Sequence, residues 1–74
     1  GAAVGIAGER RKGSIDMSLR TCRGDIDLNR ILRRIAPGLG GSGGGHPSAA
    51  GARIPEGRFK EFIERLNAAL AEPP

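Results

Sequence analysis

Residues 38–55 read Gly38-Leu39-Gly40-Gly41-Ser42-Gly43-Gly44-Gly45-His46-Pro47-Ser48-Ala49-Ala50-Gly51-Ala52-Arg53-Ile54-Pro55. Six of the eight residues from Gly38 to Gly45 are glycine. Glycine destabilises a helix interior and offers no side chain to a core. The run is therefore read as a loop that leads into His46-Pro47. Beyond it Ala50, Ala52 and Ile54 alternate with Gly51 and Arg53, the pattern of a short strand over Ala49 to Ile54.

Working outward, Leu28, Ile31, Leu32 and Ile35 recur at helical spacing before the glycines. Asp25 or Asp27 caps that helix, and Pro37-Gly38 ends it. Arg30, Arg33 and Arg34 fall on its wet side. Further upstream, Ile15, Met17, Leu19 and Thr21 alternate with Asp16, Ser18, Arg20 and Cys22, predicting a strand over Ile15 to Cys22. Ala2 to Gly8 predicts another strand, joined to it through the polar turn Glu9 to Gly13 as a hairpin. After the glycines, Pro55 and Glu56 open a last helix whose apolar stripe is Phe59, Phe62, Ile63, Leu66 and Leu70. Glu56–Lys60 and Glu61–Arg65 stand at the spacing of stabilising helix pairs. The expected fold is α+β (an α/β two-layer arrangement): a small β-sheet with two helices on one face, in the order β-β-α-β-α. Its other face carries small residues, Ser18 and Arg20, and is open or meets another domain.

The chain has 74 residues, which allows one small domain. No apolar run approaches the ~20 residues of a membrane helix, and the first residues lack the apolar stretch of a secretory signal. A single cysteine, Cys22, makes neither an internal disulfide nor a structural zinc site, which fits a cytoplasmic location. Gly1 in place of Met reads as a processed chain or a piece of a longer one. The formal net charge is +4, and ten of the twelve cations are arginine. Guanidinium forks match phosphate geometry, so nucleotides and nucleic acid are natural partners.

Glycine-rich backbone can turn its N–H groups into one concavity that holds an anion. Gly43, Gly44 and Gly45 are the candidates for that, with a flexible linker as the alternative. The run is not a phosphate-binding P-loop sequence, because no lysine follows it. His46, the sole histidine, could donate to a phosphate oxygen, stack on a base or shuttle a proton. With no cysteine or carboxylate cluster near it, it does not make a metal site. Arg20 needs an anionic partner: an internal carboxylate, Asp16 or Asp25, or a substrate phosphate. Ser42, Ser48 and Cys22 lack a placed base, so the chain reads as one that binds rather than converts.

The segment Gly43-Gly44-Gly45-His46-Pro47-Ser48-Ala49-Ala50-Gly51 resembles the DHH-associated domain. This is the C-terminal module of DHH-family phosphoesterases: RecJ-like exonucleases, nanoRNases that also act on adenosine bisphosphate, and cyclic-dinucleotide phosphodiesterases. Ser18-Leu19-Arg20-Thr21 is similar to the family's arginine strand, and the resemblance covers nearly the whole chain. It implies that residues 1–74 form one substrate-binding domain, a fragment of a longer phosphoesterase. Gly44, Gly45 and His46 would hydrogen-bond a phosphate or nucleotide, and Arg20 would clamp another phosphate. The implied partners are a single-stranded nucleic acid or small nucleotide and an N-terminal Asp-His-His catalytic domain. Manganese is expected in that domain and no cofactor in this chain; no membrane is involved. The alternatives are a free-standing nucleic-acid-binding module and a dimerisation module that forms a homodimer.

Overall fold

The computed structural model describes residues 3–72. The chain runs β1 (Gly5–Arg11), β2 (Ser14–Arg20), α1 (Leu28–Gly38), β3 (Ser42–His46), β4 (Ala49–Pro55), a 3-10 turn (Glu56–Arg58) and α2 (Phe59–Ala71). The fold is α+β. Its four strands form one sheet in the order β1-β2-β4-β3, and every neighbouring pair is antiparallel.

The first hairpin is tighter than expected. The strand expected at Ala2–Gly8 runs at Gly5–Arg11, and Ala2 lies outside the described residues, as do Pro73 and Pro74. Lys12 and Gly13 alone make the turn, at φ 26 and 86. Positive φ at both central residues matches the right-handed twist of the strands, so pairing continues through Glu9, Arg10 and Arg11. At its other end β2 stops at Arg20, before Cys22. The Thr21 N–H leaves the ladder to bond the Ser48 carbonyl at 3.0 Å.

Asp27 caps α1, its carboxylate accepting the Arg30 N–H at 3.0 Å. Pro37 sits inside the last turn instead of ending the helix. The chain turns off at Leu39, which is fully buried, and the N–H groups of Leu39 and Gly41 both bond the Ala36 carbonyl at 3.0 Å.

The expected order lacks one strand. The second half of the glycine run is a strand, β3, rather than a loop, giving the order β-β-α-β-β-α. Gly43 shows why glycine is required. A Cβ there would stand 3.0 Å from the Leu32 Cβ and 3.3 Å from the Ala36 Cβ, so its absence lets α1 lie directly on the strand.

One face of the sheet meets both helices. Met17 and Leu19 from β2, and Ala50, Ala52 and Ile54 from β4, form the core with Leu28, Leu32 and Ile35 of α1 and Phe62 and Leu66 of α2. Leu19, Leu28, Leu32, Leu39, Ile54 and Phe62 are fully buried, each contributing about 1.5–3 kcal/mol by leaving water. Glu61 pairs with Arg65 at 2.9 Å as spaced. Glu56 pairs with Arg10 of β1 at 2.9 Å rather than with Lys60, because it belongs to the 3-10 turn and not to α2.

Candidate functional site

The register decides what the open face carries. Residues directly opposite in a ladder share a face. One row across the sheet is Gly5, Arg20, Ala49 and His46; the next is Ala7, Ser18, Gly51 and Gly44; the third is Glu9, Asp16, Arg53 and Ser42. The core residues occupy the alternate positions, so the side chains of these rows face away from the helices; Gly44 is the exception, because its positive φ would turn a Cβ toward Asn29 and Arg33 of α1.

Arg20 and His46 thus belong to one row on one face. They lie two strands apart, about 10 Å between backbones, with only the methyl of Ala49 between them. Gly51 and Gly44 continue that bare floor in the next row. Small residues there leave backbone accessible where larger ones would cover it.

Charge on this face is unevenly distributed. In the third row the Asp16 carboxylate takes both Nε and Nη2 of Arg53, at 2.5 and 3.0 Å. Arg11 reaches the same carboxylate at 3.4 Å and Glu9 at 3.4 Å. The Arg53 hydrogen bonds hold the Asp16 carboxyl below its ordinary range, with Arg11 adding to the effect. That end of the face is internally neutralised. At the other end both internal partners considered for Arg20 are engaged elsewhere: Asp16 with Arg53, and Asp25 with Arg23 at 3.0 Å. Among the described residues Arg20 has no carboxylate partner, and its residue is exposed.

His46 is anchored by the turn that follows it. The Pro47 carbonyl accepts the Leu28 N–H of α1 at 2.9 Å, and the Ser48 carbonyl accepts the Thr21 N–H at 3.0 Å. The tip of the β3–β4 hairpin is therefore tied both to the start of α1 and to the end of β2. The imidazole Nδ1 lies 3.0 Å from the Ser48 hydroxyl and accepts the Ser48 N–H at 3.3 Å.

The glycines divide into different situations. Gly43 is under α1. Gly44 and Gly45 have φ of 150 and 147, which glycine adopts without strain. The Gly45 N–H donates to the Asn29 side chain at 2.9 Å, so α1 already uses that donor. Gly44 stands opposite Gly51 at the sheet edge and borders a depression that Arg33 also lines. Spacing alone does not single out Asn29 or the Ala49–Gly51 floor; the signals for them are the four-residue step from Asn29 to Arg33 on one helix face and the small residues after His46.

Among the described residues no group of three His, Cys, Asp or Glu side chains comes together to hold a metal ion. None of the described helices is long and apolar enough to cross a membrane.

The DHHA1 domain family matches residues 1–72. The chain belongs to that family. DHHA1 is the DHH-associated domain of the DHH-family phosphoesterases, so this chain is tied to that group of enzymes. A relative in Methanocaldococcus jannaschii, the uncharacterized protein MJ0831, is 33% identical over 63 residues, covering 77% of this chain. The chain spans about 15% of the length of that relative.

Proposed function

We propose that this DHHA1 domain is the substrate-holding part of a DHH-family phosphoesterase, a RecJ-like exonuclease or an oligonucleotide or nucleotide phosphodiesterase. The open face of its sheet grips the phosphates of a single-stranded nucleic acid or a small nucleotide. His46 donates to one phosphate oxygen and Arg20 clamps another across the Ala49 methyl, with the Gly44 and Gly51 backbone in the next row. DHHA1 domains usually accompany an N-terminal DHH domain. In this reading that domain closes over the open face, carries the manganese and cuts the ester. The location is cytoplasmic, which accords with an exposed free thiol at Cys22.

The observation that supports this reading most is the row Arg20–Ala49–His46, which joins the imidazole on the exposed face to a guanidinium without a carboxylate partner among the described residues. It is tested in the full-length protein with Arg20→Ala and His46→Ala. Each lost charge-assisted contact is expected to lower kcat/KM at least about tenfold. Unchanged kcat/KM in both variants overturns the assignment.

A dimerisation module is the second reading. It is favoured by β1, a sheet edge whose seven residues are all exposed. Sedimentation of the protein with and without nucleotide separates the two readings.

A further inference from the structure

Arg33 belongs to the solvent side of α1, yet its side chain turns toward the glycine strand. Its Nε–H donates to Asn29 Oδ1 at 3.0 Å. The same oxygen accepts the Gly45 N–H at 2.9 Å. One amide oxygen therefore fixes both the strand and the guanidinium. A Cβ on Gly44 would come within 3.2 Å of Arg33 Nε and 3.1 Å of Asn29 Oδ1, so the missing side chain is what lets the arginine lie against the strand.

Arg10, Arg11, Arg23, Arg34, Arg53, Arg58 and Arg65 all pair with carboxylates, whereas among the described residues Arg33 pairs with none. Arg33 also borders a shallow open depression with Ser42, Gly44, Gly51, Asp16 and Arg53. Asp16 is taken by Arg53. With Nε committed to Asn29, the two terminal NH2 groups of Arg33 are left as donors over a floor of bare backbone.

We propose that Arg33, positioned by Asn29, is a further phosphate-binding residue of this face, holding a phosphodiester that lies over Gly44 and Gly51. The proposal rests on the phosphate-binding reading above and adds a residue to it. A planar fork held at one nitrogen and free at two suits the paired oxygens of a phosphate.

The test is anisotropy of a labelled short single-stranded oligothymidylate with the full-length protein, without divalent metal so that the strand stays uncut. Arg33→Gln is expected to weaken binding about tenfold and to flatten the dependence of log K on log salt by about 0.7. Arg33→Lys keeps the charge without the fork and is expected to recover the salt slope but not the affinity. Asn29→Ala, which frees the guanidinium, is expected to fall between wild type and Arg33→Gln. Arg30→Gln, on the same helix, is expected to bind as wild type. If Arg33→Gln binds as wild type while Arg20→Ala and His46→Ala weaken binding, the Arg33 assignment is overturned and the reading of the face stands. Equal weakening by Arg30→Gln and Arg33→Gln overturns it as well, since diffuse charge then suffices. If wild type does not bind the strand, both fall.

Discussion

Asp16 and Arg53 face each other across β2 and β4, and the carboxylate grips the guanidinium through both oxygens, at 2.5 and 3.0 Å. This pair decides which cations of the open face are available to a ligand. Arg53 is held, and Arg20 is not. Asp16→Asn keeps the side-chain shape while releasing Arg53, so affinity for a short oligonucleotide is expected to rise, with a steeper salt dependence. Unaltered affinity and salt slope in Asp16→Asn would show that Arg53 does not reach the ligand.

The same pair gives an acid dependence. Hydrogen bonds from Arg53 lower the Asp16 carboxyl in the folded state. A carboxyl lowered by folding stabilises the fold fully above its unfolded value, and the contribution is lost as pH falls through the folded value. Asp25 is lowered in the same way by Arg23, and Glu61 by Arg58 and then Arg65. Thermal stability is thus expected to drop below the ordinary carboxylate range, and to drop less in Asp16→Asn. Asp25 is exposed and Asp16 and Glu61 are only partly covered, so each effect is small. A melting temperature that rises on acidification would contradict the sign.

Gly43 tests the packing that makes β3 a strand. An alanine methyl at this position would press on the Leu32 Cβ at 3.0 Å and the Leu32 carbonyl at 3.2 Å. Overpacking of this kind costs about 1–3 kcal/mol. In a domain of this size each kcal/mol moves Tm by about 4–8 °C. Gly43→Ala is therefore expected to lower Tm clearly, whereas Gly57→Ala, where a Cβ would meet nothing within 4 Å, is expected to change it little. Equal melting of the two variants would mean that α1 does not need the close approach.

These cases mark what the chain order revealed and what it hid. The alternation in Ile15, Met17 and Leu19 and the stripe of Leu28, Leu32 and Ile35 showed two elements because side chains carry the period. Ser42 to Gly45 carry almost none, so periodicity gives no sign of β3 and glycine content points to a loop. Arg20 and His46 show their chemistry in their side chains, but only the β2–β4–β3 register puts them in one row. The long-range bond from Gly45 to Asn29 crosses sixteen residues and leaves no mark on local sequence.

Asp27 secures the helix that supports the site. Its carboxylate satisfies the Arg30 N–H, and the adjacent Leu28 N–H bonds the Pro47 carbonyl. Loss of an N-cap costs about 1 kcal/mol. Asp27→Ala is expected to lower Tm modestly and to speed hydrogen exchange at Leu28 and Arg30 before it affects the sheet. Exchange that is unchanged at both amides would show that the cap is not formed in solution.

Ser48 sets the proton on His46. A backbone N–H can only donate, so the 3.3 Å contact from the Ser48 N–H makes Nδ1 the acceptor and assigns the proton of the neutral ring to Nε2. The Ser48 hydroxyl, 3.0 Å from the same nitrogen, then donates as well. An Nε2–H is a donor facing away from the turn, which is what a phosphate oxygen over the open face requires. The expected 15N spectrum of the neutral ring has Nδ1 unprotonated and Nε2 protonated. Ser48→Ala keeps the backbone donor but removes the hydroxyl, so it is expected to shift the tautomer ratio and weaken phosphate binding a few-fold, consistent with about 1 kcal/mol for one hydrogen bond. His46→Ala is expected to cost more than Ser48→Ala. A neutral ring protonated on Nδ1 would remove the donor and with it the role given to His46, whatever the variants do to affinity.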